Sequence, residues 1–501
     1  MKRKMALLLV LGMLVFCFTG CGNSNDTSNS SPSNAAKATG TEEKPYEATV
    51  MYWASNDPRD VQHVEDSLNE LSIPDINVKI HLQPVTLGTY MQQIQMVLSS
   101  DDALDIFPIF GSNAGSYIDA GYVVNIAPFL DSAGSDLTDI IGKEDIKCCS
   151  IGDFLWGVPT MHERSNPIGY VVRTDLLKEA GFTADDVKTM ADMTKVYAKV
   201  KELHPDMILY SGINNLTQPL LQSTFDPLGG GNFGVLLNYG QNTTVSNWYE
   251  SDEFVSWVQL MYDWNQRGYV SKDLAVSADS GESLIKAGNL FSFTSYVKPN
   301  SKQEKDAATG YDTTILQVTE PACYTATTNA GAYGIPANAK DPEKAVKLLN
   351  WLYKTKEAND LLNWGVKGVD YEVKGDGTIG FPEGVSTENV EYHQDYGWAM
   401  FNQYNSYVWE GNDVDIWDKY KEVRDKAIVS KAYGFTFNTE PVLNELAALT
   451  AVTDEYLSTI AAGDVDSKTG LKELNSALYA AGLQKVMDEK QSQLDAWLAK
   501  K

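Results

Sequence analysis

Basic residues, histidine and cysteine are all scarce in this chain of 501 residues, and each shortage closes off a class of function. Forty Lys and Arg stand against 67 Asp and Glu, a formal charge of −27. A field of that sign opposes nucleic acid and other polyanions and leaves neutral ligands favoured. The five histidines, His63, His81, His162, His204 and His393, are scattered and make no His-Glu-x-x-His pair, so metal chemistry finds little support. Asp464-Val-Asp-Ser-Lys-Thr-Gly470 only echoes a calcium loop, because Lys468 stands where a ligand is needed, and it reads as a helix connection. Leu228-Gly-Gly-Gly-Asn232 has the glycines of a phosphate loop without the Lys-Ser or Lys-Thr that must follow. No cofactor is expected. Beyond residue 18 there is no apolar run long enough to span a membrane.

The five cysteines divide by position. Cys17 lies in the apolar stretch Met5 to Phe18, which follows Lys2, Arg3 and Lys4 and has the length of a secretory signal core. Phe18-Thr19-Gly20-Cys21 then resembles a bacterial lipobox, in which the Cys21 thiol takes a lipid and becomes the new N-terminus; an ordinary cleaved signal is the alternative. Residues 1–20 are the expected signal peptide. Residues 21–45, rich in Ser, Asn and Thr with nothing large to bury, are the expected flexible tether, holding a soluble domain on the outer face of the cytoplasmic membrane. Cys148, Cys149 and Cys323 make a poor disulfide framework and read as free thiols, with a bridge from Cys148 or Cys149 to Cys323 left open.

The remaining chain exceeds one compact core, so two lobes are expected. Glu47 to Trp53 reads as a strand, with Asp57 as N-cap and Pro58 as first helical residue of the helix carrying Val61, Val64, Leu68 and Leu71 on one face. Val78, Ile80 and Leu82 alternate in the next strand, a helix runs through Tyr90 to Leu98, and Asp105 to Phe110 is a buried strand. This succession predicts an α/β sheet. Ile168 to Arg173, Ile208 to Gly212, Leu290 to Ser295, Thr313 to Val318 and Gly331 to Pro336 supply later strands. From Asp341 the chain turns helical, and apolar spacing from Leu443 to Leu498 predicts a helical extension over 439–501.

In this order the motifs resemble a known family. The lipobox, the tether, the first strand ending in a Trp turn, Trp156-Gly-Val-Pro159 and Gly334-Ile-Pro-Ala-Asn-Ala-Lys-Asp-Pro-Glu-Lys-Ala-Val-Lys-Leu-Leu-Asn350 are similar to extracellular solute-binding lipoproteins of ABC transporters, in the oligosaccharide-binding group. Asn363 to Val373, Tyr433 to Asn438 and Ala480 to Trp497 are similar to the subgroup with a DUF3502-type C-terminal region. The resemblance implies a two-lobed, periplasmic-binding-protein-like (type II) α/β fold that closes on ligand about hinge crossings. The crossings are placed near 156–163, 295–299 and 336–340. Lobe one is then 46–158 with 298–335, and lobe two 160–296 with 337–438.

A sugar site asks for flat apolar faces and for planar polar groups that fork to adjacent hydroxyls. At the strand ends the candidates are Trp53, Asn56 and Asp57, then Ser112 and Asn113; Asp57 reads equally as a helix cap. By the resemblance, Glu163 beyond Pro159 is an acidic contact, with pairing to Arg164 the structural alternative, and His162 is a structural histidine. Phe225 and Asp226 precede the glycine turn, Tyr296 stands where relatives place an aromatic platform, and Trp364, Trp398 and Trp409 fall in an irregular aromatic segment. Each of these aromatics reads also as core packing. The resemblance implies a monomeric, non-enzymatic binding protein that takes a neutral oligosaccharide and delivers it to permease subunits. A peptide binder of the same fold and an extracellular glycoside hydrolase, which needs two carboxyl groups at a set separation, are the rivals.

Overall fold

The alternation that starts at Tyr46 folds as a nine-residue strand, Tyr46–Ala54, whose inward residues Ala48, Val50, Tyr52 and Ala54 are buried. The helix Gln62–Ile76 carries the chain back so that Val78–Thr86 pairs with the first strand in parallel, Val50 opposite Leu82. Met51 N–H donates to Ile106 O at 2.9 Å, which brings in Phe107–Ile109 as the third strand. Ala332–Gly334 and Val158–Pro159 then extend the sheet antiparallel. The computed structural model describes residues 44–100, 103–165, 167–211, 224–276 and 279–501. The expected signal peptide 1–20, almost all of the expected tether 21–45 and Cys21 lie outside the described residues.

The helix begins four residues later than Asp57-Pro58 predicted. Arg59 and Asp60 N–H both donate to Glu391 O, holding 57–60 as a turn, and Asp60 Oδ1 accepts from Gln62 N–H at 2.8 Å in the place foreseen for Asp57. Asp341 behaves as read: it caps Pro342–Lys354, accepting from Lys344 N–H at 3.1 Å.

A second, four-stranded sheet has the order 313–317, 168–173, 290–296, 208–210, all antiparallel but for the last pair. Each sheet has its own apolar core. One holds Val50, Ile80, Ile106, Trp156, Tyr333, Leu348 and Leu352; the other holds Tyr170, Val172, Tyr197, Trp257, Phe291 and Leu316. The chain passes between the two lobes three times: after Pro159, between Gln317 and Ala332, and between Phe401 and Ala432.

The expected division differs from this in two stretches. Thr313–Gln317 pairs with Ile168–Arg173, and the helix Ser301–Thr309 belongs beside it, so 298–318 sits with the second lobe rather than the first. Pro342–Lys354 and Lys356–Trp364 bury Ala345, Leu349 and Leu362 in the first core, not the second, and Tyr392, Met400 and Phe401 follow them there. Strand order is the physical reason, since nothing local to 313–317 says which sheet edge accepts it. Only the first of the three expected crossings coincides with an observed one.

The last three helices, Leu443–Ala461, Ser467–Ala480 and Leu483–Leu498, are more than an appendix. Leu449, Leu474, Leu478, Val486 and Leu494 lie in the second core itself. The glycine turn before them is the joint. Gly229, Gly230, Gly231 and Gly234 all have positive φ, a backbone open to glycine, and the carbonyls of Pro227, Gly231 and Gly234 accept from Lys490 Nζ at 3.0, 3.1 and 2.9 Å. Lys490 is 0% exposed, and burial pushes its pKa down to about 7. Among the described residues no helix is long and apolar enough to cross a membrane.

Candidate functional site

The three connections are bonded to one another. Thr160 N–H donates to Gly331 O at 3.0 Å, Met161 N–H to Phe401 O at 2.9 Å, and Ser430 N–H to Cys323 O at 3.1 Å. His162 sits inside this bundle, its ring nitrogens near Thr160 O and Thr327 O at 3.1 and 3.2 Å. Burial, helped by the Arg164 charge, pushes its pKa down to about 4, so it is a neutral structural histidine. Arg164 turns away from its neighbour Glu163: it pairs with Asp145, whose other oxygen takes Tyr433 OH at 2.5 Å and Arg424 at 3.2 Å. Glu163 is thereby left for the cleft. Cys148, Cys149 and Cys323 are free and buried close by, and burial raises Cys148 to about 12 and Cys323 to about 11.

Against the bundle lies a cavity of about 160 Å³. The first lobe contributes Asn363 and Trp364, from the end of the helix Lys356–Trp364, and Asp395, Gly397 and Trp398. The second lobe contributes Lys298, Asn300 and Glu304 at the start of the helix Ser301–Thr309. The third connection closes the wall with Gln403, Ser406, Val408, Trp409, Asn412, Ile416, Trp417 and Tyr420, and the first connection adds Glu163. Trp364 and Trp409 stack with centroids 5.3 Å apart, and Trp398 stacks on the buried Trp53 at 5.9 Å.

The polar groups form two linked sets. Lys298 Nζ is 3.2 Å from Glu163 Oε1 and 3.6 Å from Glu304 Oε1, while Gln403 Nε2 donates to Glu163 Oε2 at 3.0 Å. Asn300 Nδ2 donates to Glu304 Oε1 and to Asn412 Oδ1, both at 2.9 Å, and Tyr420 OH donates to Asn300 Oδ1 at 2.7 Å. Burial raises the Glu163 pKa, but the Lys298 charge and the other partners outweigh it and hold the carboxyl below its ordinary value. Trp364 Nε1 and Asn363 Oδ1 are buried without a partner. An aromatic-walled cavity with a few fixed polar groups, drawn from both lobes, is built to hold a small polar molecule with apolar faces. Two of its three carboxylates, Glu163 and Glu304, accept from Lys298, Gln403 and Asn300.

Of the residues singled out from sequence, Glu163, Trp364, Trp398 and Trp409 meet in this cavity; the others stand elsewhere. Trp53 is fully buried one layer behind Trp398, against Tyr90, Phe110 and Tyr333. Asn56 and Asp57 are kept from the cleft by the segment 388–395, which covers the end of the first strand: Asn56 Nδ2 donates to His393 O at 3.0 Å and Ser55 N–H to Gln394 Oε1 at 2.7 Å. Ser112 is exposed and Asn113 reaches Met91 Sδ. Phe225 packs on Trp248 in the second core. Asp226 is buried, accepts from Leu228 N–H at 2.9 Å and is raised in pKa by burial, a structural carboxyl of the glycine turn. Tyr296, 44% exposed, ends its strand outside the cavity lining. Sequence reasoning missed Lys298, Asn300, Glu304, Asp395, Gln403 and Tyr420. A faint signal was available for the first three, since Lys298-Pro-Asn300 follows a buried strand where a helix begins.

A family model described as bacterial extracellular solute-binding protein matches residues 65–359, more than half of the chain, and one described as a domain of unknown function (DUF3502) matches 431–499. The chain is 25% identical over 475 residues to a carbohydrate ABC transporter substrate-binding protein of Streptococcus pneumoniae serotype 4, covering 93% of this chain and 94% of that one. It is similar in fold to the N-glycan transport solute binding protein NgtS of Streptococcus pneumoniae, with TM-score 0.79, 23% identity, and coverage of 91% of this chain and 100% of that one. The same protein in complex with Man1GlcNAc is matched at TM-score 0.72 and 23% identity, over 90% and 99% of the two chains.

Proposed function

The chain belongs to the family of bacterial extracellular solute-binding proteins, and from that premise we propose that it captures a neutral oligosaccharide between its lobes and delivers it to the permease of an ABC importer. The observation that carries this reading is the cavity wall: Trp398 and Trp409, the latter backed by the buried Trp364, stand beside Glu163, Asn300 and Gln403 as planar polar groups. Pyranose C–H faces match the first set and ring hydroxyls the second. A ligand there touches Asn363 and Trp398 of the first lobe and Lys298 and Asn300 of the second. Closure follows because only a ligand with contacts to both lobes favours the closed population.

The relatives support carbohydrate over peptide: one is a carbohydrate ABC transporter substrate-binding protein, and NgtS has been crystallised in complex with Man1GlcNAc. A binding protein rather than a glycoside hydrolase accords with the family and with Glu163 and Glu304 tied to Lys298 and Asn300 at the cavity. Titration calorimetry against neutral oligosaccharides of mannose, glucose, galactose and N-acetylglucosamine tests the reading. Saturable one-to-one binding without product formation is expected; a full panel without heat, or steady release of shorter sugars, overturns it. Anchoring through Cys21 belongs to the same proposal. The Cys21→Ser chain should leave the membrane fraction, and if it stays there the lipid anchor is refuted.

A further inference from the structure

The acidic side chains of the cavity do not share one fate. Glu163 has both oxygens engaged, by Lys298 and Gln403, and Glu304 accepts from Asn300 with Lys298 3.6 Å away. Lys298, the one cation in the cavity lining, is therefore already divided between two carboxylates. Asp395 differs, because among the described residues no donor reaches its carboxylate. Its side chain is exposed along the cavity lining, and the protein packed around it together with the neighbouring Glu304 charge raises its pKa, with Lys298 pulling the other way. Its backbone is left-handed, φ +43°, and is held there as Gln394 and Asp395 N–H donate to Asn363 O at 2.9 and 3.3 Å.

The same lining holds two buried atoms without partners, Asn363 Oδ1 and Trp364 Nε1, on residues 0% and 4% exposed. Both are occluded, so the group open to a ligand is the Asp395 carboxylate, an acceptor. A ligand hydroxyl can donate to it; a sugar carboxylate or sulfate brings acceptors alone and a charge of the same sign.

Resting on the carbohydrate reading, we propose that Asp395 sets the ligand class: its carboxylate accepts from adjacent ligand hydroxyls and, with Glu304, excludes uronate, sialate and sulfated sugars. The geometry that carries this is an exposed carboxylate with no protein donor, on a left-handed turn in the lining of a cavity whose lysine is already divided between two other carboxylates.

The test is calorimetry on the full chain at one pH and salt concentration. The probes are neutral trisaccharides of mannose, glucose, galactose and N-acetylglucosamine, each beside its C6-carboxylate counterpart. The wild type should bind a neutral member at least about 10-fold more tightly than its carboxylate counterpart. Asp395→Asn, which a left-handed backbone tolerates, should weaken the neutral sugar about 10- to 100-fold, the size of a lost charged hydrogen bond. It should also narrow the neutral-to-acidic ratio. Equal binding of both sugars by the wild type, or unchanged affinities in Asp395→Asn, overturns the assignment and leaves the carbohydrate reading standing. A wild type that binds no member overturns both. Thermal melting of Asp395→Asn should match the wild type, since no bond inside the protein is lost; if it melts lower, the ratio in Glu304→Gln decides instead, narrowing if the assignment holds and unchanged if it fails.

Discussion

In the interlobe cavity Lys298 stands beside two carboxylates, whereas at the C-terminal joint Lys490 donates to three backbone carbonyls. Burial weakens the hold of Lys298 on its proton, but Glu163 and Glu304 outweigh it, and its pKa lies above the ordinary lysine value. With only the coulombic pull of Asp226 to oppose burial, Lys490 falls to about 7. The difference separates two uses of a cation. Charge-balanced groups at a solvent-facing cavity are free to exchange partners with an incoming ligand. A sealed ammonium among carbonyls has nowhere else to go and fixes the last helix to the glycine turn.

The most forceful way to break the comparison is Lys490→Ala. Three buried carbonyls lose their donor at once, so the chain should lose about 3–5 kcal/mol of stability, read as a lower melting temperature, while ligand contacts stay intact. Unchanged melting would mean the joint is held by apolar packing alone.

Between the two regions lies the hinge histidine. His162 has its pKa depressed from 6.5 to about 4, so the unfolded chain takes up its proton first as pH falls. Its contribution is fully present above pH 6.5 and is lost on descent toward pH 4, about 3 kcal/mol at most. Denaturant unfolding at pH 7 and 4.5 should show a smaller pH difference in His162→Gln than in the wild type; parallel losses would count against it.

On the cavity side, Trp409→Ala removes the stacking partner of Trp364 and should weaken sugar binding roughly 30-fold, about 2 kcal/mol. A shift under threefold by calorimetry would remove Trp409 from the site. The smallest effect is expected of Asp57→Ala, whose exposed side chain lies at the covered end of the first strand: affinity should stay within about twofold. A larger loss would reinstate that turn as a ligand edge.

Much of the fold was legible locally. Alternation at 46–54, the Asp341-Pro342 helix start and the helical spacing from Leu443 onward each depend on neighbours a few residues away, and each folds as its pattern requires. Which sheet accepts 313–317, or which core buries Pro342–Lys354, depends on partners far along the chain, and there the expected lobe division departs from the observed one. The site divides in the same way. Glu163 and three tryptophans stood out by residue type and place, while Lys298, Glu304 and Asp395 look like ordinary surface charges until the lobes bring them to one cavity. Asn56 and Asp57 fail for the converse reason, since a segment more than three hundred residues away bonds to their turn and the cavity forms elsewhere.

By itself the amino-acid order determined the class of molecule: an acidic, cysteine-poor α/β chain with a signal-like start and a helical end, because charge, periodicity and capping act within a few residues. Tertiary structure decided the division of strands between lobes, the identity of the free carboxylate and the fate of two lysines. Those depend on which distant groups desolvate and neutralise one another, a property of the assembled interior that no local pattern encodes.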